Sequence, residues 1–371
     1  MSTTVHHELW MSRALKCARK GLYTTAPNPR VGCVIVRDKQ LLAEGWHEVA
    51  GGPHAEINAL RQAGEIAGAD VYVTLEPCAH HGRTPPCVEA LTASKPKRVI
   101  IAMRDPNPLV AGGGVKRLRQ AGIEVIEGVL ETGARALNPG FISRFLKHRP
   151  YMRLKMAASM DGRTALKNGL SQWVTGEAAR RDVQFLRARA CAVLTGVDTV
   201  LADNPLLNVR LSCDDLGQAT EVRQPAIVVV DSRLRLTGRE RIFDNGRRVW
   251  IYTLSQDEAR HQPLVDAGAD VVVAQNQAGR VDLQWMMEHL ASREINELHS
   301  ECGQVLAGAL LRNRLVDELV LYQAPIFLGS QARGVLELGE FTAMEDVPRL
   351  EIKTLRQIGE DIRLTLVPRW G

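Results

Sequence analysis

Short aliphatic runs alternate with segments of helical periodicity along this chain, and the alternation restricts the folds that are open to it. The first half is predicted to form, in order, a helix that ends at Gly21, a strand from Val31, a helix from His54, a strand from Val71, a helix from Pro85 and a strand from Arg98. Strands separated by single helices build βαβ units, in which the sheet is parallel. The pattern therefore predicts an α/β/α domain around a parallel sheet.

The segment from Leu137 to Tyr151 separates two such patterns. It contains a Pro-Gly pair and a basic stretch, and the alternation starts again at Met152. Further strands are predicted near Ala192, Ala226, Val249, Asp270 and Leu319. Because 371 residues are enough for two domains of about 100 to 200 residues each, we predict two α/β domains, residues 1–147 and 148–371.

Composition narrows the classes of partner and compartment. The formal net charge of +5 arises from 47 basic and 42 acidic residues, so it favours anionic ligands only weakly. A phosphorylated small molecule suits this balance as well as RNA does, although 5% aromatic residues give no sign of a base-stacking surface. The N-terminal segment lacks the apolar region of a signal peptide, and no run reaches the ~20 apolar residues of a membrane span. With seven irregularly spaced cysteines, a cytoplasmic protein without a membrane partner is expected.

Four residues of the first half have the chemistry of a zinc site with a proton carrier. His54 and Glu56 stand two apart at a helix start and so point in different directions, which suits one ligand and one neighbouring acid. Cys78 and Cys87 each follow a proline at a predicted helix start, where the helix dipole favours the thiolate. One imidazole and two thiolates suit zinc, and three protein ligands leave a fourth position for water, as in catalytic sites. His-x-Glu followed by Pro-Cys also matches the signature of zinc deaminases.

The chain departs from that signature in the spacing of its cysteines, which are separated by eight residues instead of two. With this spacing, "HAE" at His54, "PCAHHGRTPPC" at Pro77, "APNPRVGCVIV" at Ala26 and "RDPNPLVAGGG" at Arg104 resemble the deaminase domain of the bifunctional riboflavin-biosynthesis deaminase/reductase family. The resemblance implies a cytidine-deaminase-like fold that removes an amine hydrolytically from a phosphoribosylated diaminopyrimidine.

In the family, a zinc ion and a glutamate carry out this deamination. The resemblance assigns the metal to His54, Cys78 and Cys87 and the proton transfers to Glu56. It also implies the following substrate contacts: Asn28, His47 and His80 at the ring, and Arg83 and Asn107 at the ribose phosphate.

Motifs of the second half are similar to the reductase domain of the same family. They are "LKMAASMDGRTA" at Leu154, "SQWVTG" at Ser171, "RRDVQFLRARACAVLTGVDTVLADNP" at Arg180 and "SECGQVLAGALL" at Ser300. The similarity implies a dihydrofolate-reductase-like fold. It further implies that NADPH reduces the ribosyl group of 5-amino-6-(5-phosphoribosylamino)uracil to the ribityl form.

Residue roles in the reductase half follow from the same resemblance. Lys155, Asp203 and Glu301 are the implied catalytic residues, and the proton donor stays open between Lys155 and an acid. The implied substrate contacts are Ser171, Arg187, Leu207, Arg210 and Glu301. The implied NADPH contacts are Ala157, Trp173, Thr199, Asp203, Ser232, Gly303, Gln304, Val305, Leu306, Ala307, Gly308 and Ala309.

Two segments raise the question of phosphate binding. Gly303 and Gln304 precede the apolar run "VLAGALL", so a glycine turn is expected to present free amides at a helix N-terminus to the diphosphate of the cofactor. Ser232 with Arg233 follows a predicted strand and is expected to contact the 2′-phosphate, which favours NADPH over NADH. By contrast, "AGGGVKRL" at Ala111 completes no G-x-G-x-x-G and is predicted to be a tight turn.

The sequence argues against two functions other than that of a bifunctional enzyme. A deaminase of tRNA adenosine or of nucleotides with an unrelated appendage requires the short C-x-x-C spacing and, for tRNA, a nucleic-acid-binding face, and the sequence shows neither. A binding module on a degenerate deaminase fold would have lost Glu56 or a metal ligand, yet all four residues are present. We therefore expect phosphorylated pyrimidine substrates, no nucleic-acid partner and a homo-oligomer.

Overall fold

The computed structural model describes residues 3–79, 85–108, 110–218, 221–244 and 246–370. Contacts between residues divide the chain into two units. The first comprises Met1–His148 and Cys213–Glu221, and the second comprises Arg149–Ser212 and Val222–Gly371. Among the described residues, no helix combines the length and the apolar character needed to cross a membrane.

The first unit is built on a five-stranded sheet. Its strands are β1 (Gly32–Arg37), β2 (Gln40–Trp46), β3 (Asp70–Val73), β4 (Arg98–Ile101) and β5 (Glu124–Glu127), and its helices are α1 (Thr3–Lys20), α2 (Ala55–Ala63), α3 (Cys87–Ala93), α4 (Gly113–Gln120), α5 (Glu131–Leu137) and α6 (Pro139–Lys147). Every predicted helix and strand of this half is present. Val34 and Ile35 of β1 pack with Met11 of α1 in a fully buried core, so the aliphatic runs do form the sheet interior.

The sheet of the first unit is mixed, and the prediction of a wholly parallel sheet is wrong. Its order is β2-β1-β3-β4-β5, in which β1 pairs antiparallel with both β2 and β3, whereas β3, β4 and β5 are parallel. Asp38 and Lys39, with φ values of 50° and 64°, form the two-residue turn between β1 and β2. A hairpin with such a turn pairs antiparallel. Sequence reasoning missed it because Asp-Lys lacks the glycine that usually marks this turn.

The second unit is built on a nine-stranded sheet. The strands of this unit are β6 (Tyr151–Ser159), β7 (Arg163–Ala165), β8 (Ala192–Gly196), β9 (Ala226–Val230), β10 (Val249–Thr253), β11 (Ala269–Val273), β12 (Asn276–Gln277), β13 (Arg280–Val281), β14 (Glu297–Glu301), β15 (Glu318–Ala324), β16 (Arg333–Gly334), β17 (Arg349–Ile358) and β18 (Asp361–Arg369). The remaining helices of the chain are α7 (Glu177–Arg189), α8 (Val197–Asp203), α9 (Cys213–Leu216, in a segment of the first unit), α10 (Glu258–Asp266), α11 (Leu283–Ser292) and α12 (Gln304–Arg312), with a 3₁₀ turn at Arg241–Phe243.

The strand order of the large sheet creates a crevice. The order is β11-β10-β9-β8-β14-β6-β15-β18-β17, parallel from β11 through β15 and antiparallel at β18 and β17. From β6 the chain passes to β8 and outward to β11, and β14 later fills the gap between β8 and β6. In open α/β sheets, ligands bind at the carboxyl ends of the strands where the order reverses in this way. The carboxyl ends of β8, β14 and β6 are therefore the expected site of this unit.

Candidate functional site

Three side chains of metal-ligand type meet in the first unit. His54 is the N-cap of α2, Cys78 lies in the loop after β3, and Cys87 is the first residue of α3. His54 Nδ1 lies 3.6 Å from Cys78 Sγ and 3.3 Å from Cys87 Sγ, and the three donor atoms all lie within 4.8 Å of one another. The structure thus brings together the three residues that the sequence singled out as ligands.

The geometry of this cluster fits zinc. Bonds of about 2.3 Å to sulfur and about 2.1 Å to nitrogen, arranged tetrahedrally, place the two ligand atoms about 3.6 Å apart. The observed nitrogen–sulfur separations of 3.6 and 3.3 Å agree with that value. One imidazole and two thiols are also donors that zinc prefers, and with three protein ligands a fourth position stays open.

Cys78 does not begin a helix, so that part of the sequence argument is wrong. It lies in an irregular loop, and its thiol instead accepts a hydrogen bond of 3.2 Å from the backbone N–H of Cys87, the first residue of α3. Hydrogen bonding from the Cys87 thiol, followed by hydrogen bonds from His54 and the Cys87 amide, lowers the pKa of Cys78 to about 4 despite partial burial. Hydrogen bonding to Cys78 and burial raise the pKa of Cys87. The first turn of α3 therefore favours the thiolate of Cys78 through the hydrogen bond from the Cys87 N–H, although Cys78 is not part of the helix.

Glu56 is buried in the first turn of α2, with 3% of its surface exposed. Burial raises the pKa of its carboxyl, while the charge of His54 opposes the shift, and a hydrogen bond to the Cys87 thiol opposes it further. The carboxyl therefore interacts with two of the metal-ligand residues, and burial favours its protonated form, as suits a group that must both take up and release a proton.

Asn28 and His47 adjoin the metal cluster. The Asn28 amide lies 3.0 Å from His47 Nε2, and His47 Nδ1 lies 2.9 Å from the carbonyl oxygen of Pro53, the residue before His54. The rings of His47 and His54 meet edge to face at 5.6 Å between centroids. Burial lowers the pKa of His47, so a neutral ring is favoured. The structure therefore gathers the two predicted ring contacts at the same place as His54.

Of the other three predicted substrate contacts of this unit, the structure describes only Asn107. Asn107 lies in the loop after β4, and its carbonyl accepts the N–H of Ala111 at 2.9 Å. Because β3 and β4 are parallel, this loop and the Cys78 loop leave the same edge of the sheet. His80 and Arg83 lie outside the described residues.

In the second unit, the predicted catalytic residues Lys155 and Glu301 occupy adjacent strands. Lys155 of β6 and Glu301, the last residue of β14, are register partners. Burial lowers the pKa of the Lys155 ammonium, and the nearby charge of Glu301 opposes that shift. The pair lies at the crevice that the strand order creates.

Arg187 contacts Glu301 directly. Its Nε and Nη2 donate to the two carboxylate oxygens of Glu301, the second over 2.9 Å, and its Nη1 donates to the carbonyl of Asn208 at 2.9 Å. Burial would raise the pKa of Glu301, but Arg187 holds it well below its ordinary value. The sequence resemblance implied that Arg187 contacts the substrate, and in the structure its guanidinium binds Glu301 and a backbone carbonyl. His299, fully buried, places Nε2 3.3 Å from Glu301 Oε1 and was not foreseen.

Arg210 remains available for an anion. Arg210 is exposed, and within the described parts of the chain its guanidinium forms no ion pair. Partial burial is the largest cause that lowers its pKa; the charge of Arg187 lowers it further, and that of Glu301 raises it. Leu207 is buried with φ of 50°, and its carbonyl accepts Nη1 of Arg247 at 3.1 Å. These backbone contacts fix the segment that carries Arg210.

Ser171 and Trp173 lie in the segment before α7. The carbonyl of Ser171 accepts the N–H of Val174 at 3.1 Å, and the indole of Trp173 is 68% exposed. The Arg180 guanidinium lies 4.6 Å from the centroid of the Trp173 ring. An exposed aromatic face beside a cation is a surface on which a planar ligand can stack.

The N-terminus of α12 has the predicted form of a phosphate site. Gly303 is its N-cap, exposed and with extended backbone, and none of the described side chains caps the helix. A Cβ added at Gly303 would meet nothing within 4 Å, whereas one at Gly308 would lie 2.0 Å from the carbonyl oxygen of Glu337. The N–H groups of Gln304, Val305 and Leu306, in the first turn of the helix, have no carbonyl partner within α12, as expected of an anion-binding helix start. Ala307, Gly308 and Ala309 continue the helix.

Four further predicted cofactor residues lie near this edge of the sheet. Ala157 is on β6, and Thr199 is on α8, which follows β8 directly. Ser232 follows β9, and its hydroxyl accepts the N–H of Val281 at 3.2 Å. Asp203 is exposed at the last residue of α8. Within the described chain, no direct hydrogen bond or ion pair joins Asp203 to Lys155 or Glu301.

Both units match known family models. Residues 4–103 match the cytidine and deoxycytidylate deaminase zinc-binding region. Residues 150–364 match the RibD C-terminal domain.

Similar proteins extend over almost the whole chain. The riboflavin biosynthesis protein RibD of Escherichia coli (strain K12) is 48% identical over 366 residues, covering 97% of this chain and 99% of the relative. RibD of Haemophilus influenzae is 44% identical, with 97% of each chain covered. Among solved structures, a form of Acinetobacter baumannii RibD has a TM-score of 0.91 at 44% identity, covering 99% of this chain and all of that one. A diaminohydroxyphosphoribosylaminopyrimidine deaminase/5-amino-6-(5-phosphoribosylamino)uracil reductase from Thermotoga maritima has a TM-score of 0.88 at 33% identity, with coverage of 99% and 100%.

Proposed function

This chain belongs to the RibD family of riboflavin biosynthesis proteins, and from that premise we propose which residues carry its deaminase and its reductase activity. The two activities occur in one polypeptide, with zinc in the first and NADPH in the second. We assign the deaminase to residues 1–147 and the reductase to residues 148–371. The substrates are 2,5-diamino-6-(5-phosphoribosylamino)pyrimidin-4-one for the deaminase and 5-amino-6-(5-phosphoribosylamino)uracil for the reductase.

In the deaminase, His54, Cys78 and Cys87 hold the metal, and Glu56 moves the protons. When bound, zinc lowers the pKa of a water molecule to about 7 and so supplies a nucleophile at neutral pH. Glu56 would take one proton from the attacking water and give it to the ring nitrogen. It would then take the second proton, from the hydroxyl added to the ring carbon, and give it to the amine, which departs as ammonia and leaves a carbonyl group. Asn28 and His47, which hydrogen-bond to each other beside His54, orient the pyrimidine ring, and His80, Arg83 and Asn107 complete the substrate contacts.

The convergence of His54, Cys78 and Cys87 beside buried Glu56 is the observation that supports the deaminase proposal. Glu56→Gln should retain about one zinc per chain but lose ammonia release, because the amide cannot carry the proton. His54→Ala should lose both. The measurements are metal content by mass spectrometry and ammonia release from the diaminopyrimidine substrate. Normal deamination by Glu56→Gln would contradict the proton-carrier role.

In the reductase, we assign proton donation to Lys155 and substrate binding to Glu301. NADPH, when bound, would supply a hydride for the anomeric carbon of the opened ribosyl group, so the heteroatom on that carbon would need a proton from the protein. Arg187 keeps Glu301 ionised, so this carboxylate can accept hydrogen bonds from sugar hydroxyls but has no proton to give. The ammonium of Lys155, the register partner of Glu301, has a proton to give, and burial lowers its pKa, which makes it a stronger acid.

The remaining contacts follow the crevice. The free N-terminus of α12 at Gly303 receives the diphosphate of NADPH, with Ala157, Trp173, Thr199, Asp203 and Ser232 as further cofactor contacts. Ser171, Leu207 and Arg210 contact the substrate, and exposed Arg210 binds its phosphate. Arg187 contributes to substrate binding indirectly, by holding the Glu301 carboxylate in its ionised form.

Lys155→Met tests the reductase assignment, since methionine has similar length but no proton to donate. NADPH oxidation with the uracil substrate should be lost, while ammonia release from the diaminopyrimidine should be unchanged. Loss of both activities would contradict the assignment of separate active sites to the two units. Retention of NADPH oxidation would exclude Lys155 as the donor.

A homo-oligomer and a cytoplasmic location remain proposals. β17 forms one edge of the large sheet, and its Ile352 and Leu355 are 62% and 63% exposed, which supports self-association because a long exposed edge strand is prone to pair. The location is supported by the biosynthetic role of the relatives. Equilibrium sedimentation of the full chain would measure its oligomeric state, and a monomer would contradict the proposed homo-oligomer.

A further inference from the structure

The glycine-rich stretch after Ala111 has a buried carboxylate at the position where a phosphate would bind. α4 begins at Gly113, and its N-cap Gly112 has φ of 78°. Glu76, 3% exposed, accepts four backbone N–H groups around this helix start. Oε2 accepts those of Asp105 at 3.2 Å and Gly112 at 3.0 Å, and Oε1 accepts those of Gly114 at 2.9 Å and Val115 at 3.1 Å. The predicted turn is confirmed, and its anion-binding amides are already occupied.

The same helix start is pressed against the loop that carries Cys78. A Cβ added at Gly114 would lie 2.1 Å from the carbonyl oxygen of Pro77, so only glycine allows this approach. A Cβ at Gly113 would lie 3.6 Å from the Cβ of Ala79. Pro77 and Ala79 are the two neighbours of Cys78 in the chain. The residues on both sides of this ligand therefore lie against the first turn of α4.

We propose that Glu76 is a positioning residue for the metal ligand Cys78, which it holds by binding the Cys78 loop to the N-terminus of α4. This inference rests on the proposed zinc site. Four hydrogen bonds to one carboxylate, in a buried place and at the positive end of a helix, are strong because the acceptor is charged. Glu76 is two residues from Cys78, so a displacement of its carboxylate moves the Cys78 sulfur relative to His54 and Cys87.

Glu76→Gln in the full chain is the direct test. The amide keeps the shape of the side chain but removes the charge and presents an NH₂ group to backbone donors. Groups that orient metal ligands from outside typically contribute 10- to 100-fold to metal affinity. We therefore expect zinc to leave Glu76→Gln about 10- to 100-fold faster than wild type when a chelator in excess captures it. Glu76→Asp, which keeps the charge but is too short to reach all four amides, should release zinc at an intermediate rate.

Glu240→Gln is the matched control. The Glu240 carboxylate also accepts backbone N–H groups, from Thr237 and Gly238 at 3.0 Å each, but it lies in the second unit. It should leave the rate of zinc release unchanged. If Glu76→Gln shows no cooperative unfolding transition and is therefore not folded, Glu76→Asp and Gly114→Ala can be measured in its place. Both should release zinc faster than wild type.

Two results separate this inference from the proposed function. Variants of Glu76 that bind one zinc and release it at the wild-type rate would overturn the positioning role while leaving the zinc site intact. Wild-type protein that binds no zinc and releases no ammonia would contradict the proposed deaminase itself.

Discussion

The ion pair between Arg187 and Glu301 permits a quantitative prediction for the second unit. The Arg187 and Glu301 side chains are 10% and 13% exposed, and the guanidinium donates twice to the carboxylate. Arg187→Ala would leave the carboxylate with His299 at 3.3 Å and Lys155 on the adjacent strand. Removing one partner of a buried pair costs about 3–5 kcal/mol because the other charge is left uncompensated. For a domain of this size, that corresponds to a fall in Tm of about 6–20 °C.

A double-mutant cycle distinguishes this cost from loss of packing. Glu301→Gln removes the charge that Arg187 neutralises, so Arg187→Ala should be less destabilising in that background, with a coupling free energy of about 2–3 kcal/mol. The assay is thermal unfolding of the full chain, with Arg210→Ala as the control. Arg210 is exposed, and its loss should change stability by no more than about 0.5 kcal/mol. Additive effects of Arg187→Ala and Glu301→Gln would refute the reasoning that the pair is one electrostatic unit.

Three further predictions concern the same unit. Because Arg187 holds the pKa of Glu301 below its unfolded value of about 4.3, the ionised carboxylate stabilises the fold above that pH. This stability should be lost as the pH falls through the lower folded pKa, and Glu301→Gln should flatten the decline measured by denaturant unfolding between about pH 5 and 3. Gly308→Ala should destabilise the unit by about 1–3 kcal/mol, since the added methyl would lie 2.0 Å from the Glu337 carbonyl oxygen; an unchanged denaturation midpoint would show that the backbone moves freely. Arg210→Ala should raise KM for the phosphorylated uracil without changing KM for NADPH, and equal changes in both would contradict its role at the substrate phosphate.

The zinc site is the part of the function that the sequence predicted best. His54, Glu56, Cys78 and Cys87 were identifiable because zinc accepts few kinds of donor and because a proton carrier must stand beside them. The strands near Ala192, Ala226, Val249, Asp270 and Leu319 were predicted correctly for a similar local reason, since buried parallel strands read as continuous aliphatic runs. The direction of β1 was predicted wrongly, because a turn at Asp38 and Lys39 without a glycine signal decides it, and so was the helix start at Cys78.

The sequence by itself determined which residues have the chemistry for metal binding, proton transfer and phosphate binding, because these properties belong to single side chains and to short segments. Tertiary structure alone decided which of them meet. Arg187 and Glu301 are 114 residues apart, and they meet because β14 is inserted between β8 and β6. Glu76 reaches amides up to 39 residues away because β3 and β4 are parallel neighbours. Local periodicity contains no information about strand order, so neither contact could be derived before the sheets were assembled.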